Sequence, residues 1–412
     1  MSQPVSPEWV QPNPMDPRFV ADPEAVYGPI RERSAVWWWE EGTAWLITGY
    51  PQFVEVIRHP DLVMDRRYWE HYEAPTDPVA RAMEDQLDLA LPMMGGEAHT
   101  RIRSLVSKAF TPRAVAGLAP LIHGILNELI EEVRPKGRME FVAEFAHRYP
   151  TRVISRMLGI PPNSEREVQF KAYSDVFVAS VSPYLAAGQR REIAQVQARF
   201  LALVDEVIEE HRAVSRDDML SRLIAVEEAG DRLSNPELVA LVFGLIMAGS
   251  ETTANAVGSG LHALLTHPEQ LALYRSEPAV RDNAVLELIR FNPPGYGSSR
   301  YAKRDVNIDG VGVKRGQLLI ASLPAAHYDP AYFPEPRRLD LRRDLREQAL
   351  FGSGAHFCLG AQLARLELET AFSMLFGSLP GLRLESCGED IVYAPHPTIR
   401  GPAALPVLFD RD

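Results

Sequence analysis

The chain has 412 residues, 46% of them hydrophobic and 24% charged, and a formal net charge of −12. This is the composition of an ordinary globular protein, long enough for two or three domains by length alone, and its acidic balance argues against nucleic acid as a partner. The two cysteines, Cys358 and Cys387, exclude a disulfide framework and a four-cysteine zinc site, and fit a reducing, cytoplasmic setting.

Residues 1–22 are rich in proline and polar side chains and lack the features of a secretory signal. Residues 24–33 read as a helix. Val36-Trp37-Trp38-Trp39 and Trp45-Leu46-Ile47-Thr48 read as a β-hairpin closed around Glu41-Gly42, with the tryptophans serving strand and core packing. Residues 60–96 carry Pro60, Pro75, Pro78, Pro92, Gly95 and Gly96 and read as an irregular segment of the kind that covers a binding site. Met93 and Met94 are its pocket-lining candidates, because methionine adapts its shape. A helix then runs from Glu97 to Phe110. It puts His99 and Arg103 four apart on one face, a pair suited to a carboxylate. Arg101, Lys108 and Arg113 add a basic patch to an acidic chain, suited to docking an acidic partner.

Residues 114–230 are mostly helical by period, with breaks near Pro135-Lys136-Gly137, Pro161-Pro162-Asn163 and Ala186-Ala187-Gly188. Ser234-Asn235-Pro236-Glu237 is a helix start, with a capping residue, an early proline and an acid. The pattern predicts a helix from Asn235 to Thr266, stopped by His267-Pro268. Its 32 residues give about 48 Å, enough to cross a molecule of this size. The run Leu238 to Gly249, twelve residues without a charge, is short of the roughly 20 that a bilayer requires, so no membrane association is expected. The middle of the helix breaks local rules. Gly244 and Gly249 each cost about 1 kcal/mol against alanine. The polar run Ser250-Glu251-Thr252-Thr253 follows directly on an apolar stretch, and such inconsistency marks functional sites. Leu241, Leu245, Ala248 and Thr252 share one stripe with Gly244 and Gly249 beside it, and the small side chains there leave room for a flat cofactor and a diatomic molecule.

Glu287-Leu288-Ile289-Arg290 places an acid and an arginine on one helical face. Pro293-Pro294-Gly295-Tyr296-Gly297 breaks any helix. Val306 to Ile320 reads as short strands turning at Asp309-Gly310 and Arg315-Gly316. The stretch Phe351-Gly352-Ser353-Gly354-Ala355-His356-Phe357-Cys358-Leu359-Gly360 is a glycine-punctuated loop entering a buried helix over Leu359 to Phe376. Gly352 and Gly354 permit positive φ, and Gly360 lets a flat ligand approach the backbone. Cys358 at a helix N-terminus is placed to favour thiolate. A cysteine alone is most simply packing or a free thiol.

The ten-residue loop as a whole resembles the haem-ligating loop of the cytochrome P-450 superfamily. Ala248-Gly249-Ser250-Glu251-Thr252-Thr253 is similar to that family's oxygen-activating motif. The resemblance runs from about residue 20 to 410. It implies a mainly α fold with small β-sheets, one domain over residues 1–412, and haem b (iron protoporphyrin IX) as cofactor. Cys358 is then the iron's thiolate ligand, which favours O–O cleavage. His99, Arg103, Arg300 and His356 contact the haem propionates, while Ala248, Gly249, Phe351 and Gly360 border the cofactor. Glu251 relays protons and Thr252 hydrogen-bonds the reacting oxygen. Glu287 and Arg290 form a buried pair locked by an arginine of the later meander, for which Arg338 is the candidate. Gly295 and Gly297 leave space for substrate, and Phe177 to Leu185 forms a lid.

Three positions depart from the family pattern: His327-Tyr328 for Asn-Arg, Leu339 for an aromatic, and Gln348 for histidine. Cys387 reads as structural. The implied activity is a soluble, bacterial-type monooxygenase. It would take electrons from a ferredoxin and ferredoxin reductase and put one atom of O2 into a hydrophobic small molecule, with the basic patch docking the donor. A peroxide-driven haem oxygenase and a non-catalytic haem-binding sensor are the alternatives, and the Glu251-Thr252 pair argues against both.

Overall fold

The structure, a computed structural model, describes residues 10–162, 164–177, 186–228, 233–386 and 391–411. Two sequence expectations, the lid over Phe177 to Leu185 and the role of Cys387, fall outside the described side chains.

The helix Asn235–Thr266 has the predicted bounds. Glu237 Oε2 accepts the Ser234 N–H at 2.7 Å, which satisfies an amide left free at the helix start. His267 ends it, and Pro268 opens the next helix, Pro268–Ser276. Helices Arg148–Met157, Glu165–Phe177, Ala187–Ala213, Arg281–Phe291 and Ala361–Ser378 all pack on it. Glycines allow two of these approaches. A Cβ on Gly249 would lie 2.8 Å from Ile154 Cδ1, and one on Gly260 would lie 2.6 Å from Phe372 Cζ. The missing side chain of Gly249 thus answers to helix packing and not, as expected, to room for a flat ligand. By length and composition alone, Asn235–Thr266 and Pro112–Lys136 both suffice to cross a bilayer, although the twelve-residue run within the first falls short. In the first, 61% of the most apolar window is buried inside the protein, as befits a core helix.

The β-rich part is a five-stranded sheet in the order Val36–Trp39, Ala44–Ile47, Leu318–Ser322, Gly297–Ala302, Leu62–Val63. The hairpin expected around Glu41-Gly42 forms, with Trp38 opposite Trp45 and their rings 5.2 Å apart. Trp39 is buried and its Nε1 donates to Gln11 Oε1 at 3.0 Å, so the tryptophans do pack and anchor. A Cβ on Gly297 would lie 2.0 Å from Ala321 O, and Tyr296 packs on Phe19 at 5.5 Å in an N-terminal cluster. The missing side chain of Gly297 therefore answers to a close backbone approach and not, as expected, to space for substrate.

Three of the elements not foreseen bear on the sequence reading. Pro78–Leu87 is a helix inside the supposedly irregular segment, capped by Asp77 Oδ1, which accepts from Val79 N and Ala80 N at 3.0 Å. Arg138–Glu140 is a strand within the stretch read as helical, paired with Pro406–Leu408. Val142–Ala146 is a single π-helical turn leading into Arg148–Met157.

Candidate active site

The cysteine loop is built by its glycines. Gly352 and Gly354 have φ of 75° and 70°, so the chain turns back and the Cys358 N–H reaches Phe351 O at 3.0 Å. The helix then starts at Ala361, with Gly360 as its N-cap. Nothing lies within 4 Å of where a Cβ on Gly360 would stand, leaving the backbone open to a flat ligand. Cys358 sits in a recess: it keeps accessible surface, yet enough protein surrounds it that burial raises the thiol pKa. The Gly360 N–H and Arg103 oppose that rise without overcoming it. The helix start alone therefore does not secure a thiolate, as the sequence had suggested. Coordination to a cation would.

Four donors gather beside this loop. His99 is 3% exposed, its Nε2 has no hydrogen-bond partner, and its ring lies 4.4 Å from that of His356. The His356 pKa falls to about 4, chiefly through burial and then through His99, Arg300 and Arg103. Residues from three distant segments thus converge: the helix Gly96–Ser107, the strand Gly297–Ala302 and the cysteine loop. Arg103 donates to Phe357 O at 2.7 Å. Arg300 is 3% exposed and meets only neutral groups: Met64 Sδ, Ser298 Oγ and Ser299 O. Burial lowers its pKa to about 10. None of the four has a carboxylate partner among the described residues. Buried cationic groups without counterions are costly, so the cluster suits an anionic ligand. The two carboxylates of a porphyrin fit it. Among the described residues no group of three or more His, Cys, Asp or Glu could hold a metal ion.

Ala248 is exposed and Gly244, Leu245 and Thr252 are half-buried, although they sit midway along a core helix. A Cβ on Gly244 would meet nothing within 4 Å. The expected open stripe is therefore present, without Gly249 as its space-maker. Thr252 Oγ1 donates to Ala248 O at 2.6 Å, which aims the hydroxyl back along the helix. Glu251 is 4% exposed and points elsewhere: its Oε1 lies 3.5 Å from His147 Nδ1, and His396 also feels its charge. Sequence reasoning missed both histidines and Met64, for no local pattern links them to the motif.

Behind the site, Arg290 and Glu287 are both fully buried and joined by two hydrogen bonds of 2.7 and 2.8 Å. The locking arginine is Arg343, whose Nε is 3.3 Å from Glu287 Oε2. Arg338 gives only its carbonyl, to Arg290 at 3.4 Å, while its side chain faces solvent and pairs with Glu335. This corrects the expectation, and the reason is a turn: the Arg338 N–H donates to Glu335 O, which swings the side chain outward. The basic patch is also smaller than read, because Arg101 is bound to Glu237.

Comparison with known proteins agrees with this geometry. The family model for cytochrome P-450 matches residues 63–378. A vitamin D(3) 25-hydroxylase from Pseudonocardia autotrophica is 35% identical over 95% of this chain and 94% of its own length. The 6-deoxyerythronolide B hydroxylase of Saccharopolyspora erythraea is 35% identical over 89% of this chain and 90% of its own. The crystal structure of an epothilone D-bound cytochrome P-450epoK superposes with a TM-score of 0.89 at 29% identity, covering 98% of this chain and all of that one. With a matching loop, an anion-seeking cluster and relatives along nearly its whole length, the chain belongs to the cytochrome P-450 family of haem b monooxygenases.

Proposed function

We propose that Cys358 is the thiolate ligand of the haem iron, that His99, Arg103, Arg300 and His356 hold its propionates, and that a ferredoxin-type protein supplies the electrons. What supports this reading is the cluster of four donors beside the cysteine loop with no carboxylate partner among the described residues. When bound, the haem supplies dioxygen activation, and the thiolate strengthens it by donating electron density.

The protein's own residues do the rest. Gly360 and the stripe at Gly244, Ala248 and Thr252 border the two faces of the cofactor space. Apolar neighbours such as Leu241 and Leu245 exclude water and favour a hydrophobic substrate. Glu251 holds a proton next to the motif, and the Thr252 hydroxyl orients it at the reacting end. Lys108 and Arg113, exposed on the outer surface, offer the donor a basic contact. Two relatives bear the names of a vitamin D(3) 25-hydroxylase and a 6-deoxyerythronolide B hydroxylase, which favours a bulky apolar substrate here too.

The test is the carbon monoxide difference spectrum of the reduced protein. Wild type shows the red-shifted Soret band of a thiolate adduct, and Cys358→Ser loses it. An unchanged band in Cys358→Ser overturns the ligand assignment. A spin-state screen of steroids, terpenoids, aromatics and fatty acids, followed by turnover with a ferredoxin system, then identifies the substrate class.

A further inference from the structure

We propose that His147 is the group that reloads Glu251 with protons from solvent, a positioning residue acting through that carboxylate. The proposal rests on the role given to Glu251 above and names the step that precedes it. Glu251 is nearly sealed, with its side chain 6% exposed, so a proton it gives inward must be replaced through a neighbour. His147 Nδ1 is 3.5 Å from Glu251 Oε1, and the His147 side chain is 28% exposed, so one ring touches both the buried acid and water.

The backbone fixes that placement. The π-helical turn Val142–Ala146 ends on His147, whose N–H donates to Val142 O at 3.0 Å, and Thr151 Oγ1 binds the His147 carbonyl at 2.9 Å. The extra residue of a π turn re-aims the side chain that follows it, and such turns recur at functional sites.

A second imidazole, His396, approaches the same carboxylate from the 391–402 segment. Its Nδ1 accepts the N–H groups of Thr398 and Ile399, each at 3.3 Å. Protonating that nitrogen would break both contacts, and burial already lowers its pKa. His147 Nδ1 has no hydrogen bond among the described residues. Of the two, His147 is the one whose Nδ1 holds no competing contact there. The other charged groups nearby are engaged. Glu144 holds Lys136 and the Glu140 N–H, Glu140 accepts from the backbone of Val142, Ala143 and Leu405, and Arg148 pairs with Glu132.

The step balances simply. The imidazolium gives its Nδ1 proton to Glu251 and becomes neutral. The ring keeps its Nε2 proton, a turn of the half-exposed side chain brings the bare Nδ1 to water, water returns one proton there, and no electron moves. The 3.5 Å gap closes by about half an ångström to reach hydrogen-bond length.

The test compares wild type, His147→Gln, His147→Phe and Glu251→Gln as haem-loaded proteins with equal carbon monoxide spectra. The share of electrons that reaches product, against hydrogen peroxide, is measured from low to high pH in H2O and D2O. Losing a proton donor costs large factors in general acid catalysis, so both His147 variants are expected to lose at least about threefold in coupling. Their coupling also loses the pH dependence that wild type shows, which a packing defect does not cause. An NMR titration of the ferrous carbon monoxide form gives a readout without turnover. The His147 ring resonance, identified by its loss in His147→Phe, is expected to shift in Glu251→Gln. If Glu251→Gln uncouples the enzyme while both His147 variants keep wild-type coupling and pH profile, the relay is wrong and the role of Glu251 stands. If Glu251→Gln itself changes nothing, the role of Glu251 falls and the relay falls with it. Should His147→Phe lose haem, His147→Gln, which keeps size and polarity, decides alone.

Discussion

His327 is fully buried, and neither of its ring nitrogens is hydrogen-bonded among the described residues. Burial, and then the nearby Arg290, pull its pKa from 6.5 to about 3. The folded protein thus refuses a proton that the unfolded chain takes up at 6.5. Stability is fully present above pH 6.5 and is lost as pH falls from there toward 3, by up to about 1.4 kcal/mol per pH unit from this group. His327→Asn removes the titration. Its stability between pH 6.5 and 4, followed by denaturant melts, is expected to fall less steeply than that of wild type. Equal slopes would mean that His327 is not the group being protonated. The sequence marked this position as a departure from the family pattern. It could not show that both nitrogens lack partners, because the enclosing groups, Arg290 and Phe333, come from a different helix and from the meander.

The central helix was legible because its signals are local: Ser234 and Glu237 at one end, His267-Pro268 at the other. The same kind of signal, Asp77-Pro78, starts the helix that was missed, where flanking prolines and a short apolar face hid it. The strand Arg138–Glu140 had no local signal, since its partner Pro406–Leu408 lies more than 250 residues away. Glycine roles were the least legible of all, because what a missing side chain accommodates belongs to another element. Gly244, Gly249 and Gly260 look alike in sequence, yet only Gly244 faces open space. Gly244→Ala gains about 1 kcal/mol of helix propensity and meets no clash. It is expected to raise the melting temperature while weakening the spin-state response to the bulkiest substrates. Gly260→Ala forces a methyl against the buried Phe372 ring at 2.6 Å, and overpacking of that sort costs about 1–3 kcal/mol. Thermal melts of Gly260→Ala with and without Phe372→Leu check this, since the second change is expected to return part of the loss.

Across the whole molecule, the motifs made the convergence legible and left its wiring obscure. His99, Arg103, Arg300, His356 and Cys358 come together as their pattern implied. The arginine that braces Glu287 is a different one, because a turn at Glu335 decides which side chain points inward. That difference separates three variants. Arg290→Ala leaves Glu287 charged and fully buried, and breaking such a pair costs about 3–5 kcal/mol, a large part of the stability of any fold. It also frees the carbonyls of His327 and Pro336, which hold the meander against the helix Arg281–Phe291. The cysteine loop follows directly on that meander, so Arg290→Ala is expected to give protein without haem. Arg343→Ala removes one contact to Glu287 along with bonds to Pro334 O and Glu335 O, and is expected to lower haem retention and melting temperature measurably. Arg338→Ala loses only an exposed pair with Glu335, worth about 0–1 kcal/mol, and keeps the carbonyl that binds Arg290. Haem absorbance per protein should therefore rank wild type and Arg338→Ala together, Arg343→Ala below them, and Arg290→Ala last. If Arg338→Ala fell below Arg343→Ala, the bracing role would pass back to Arg338.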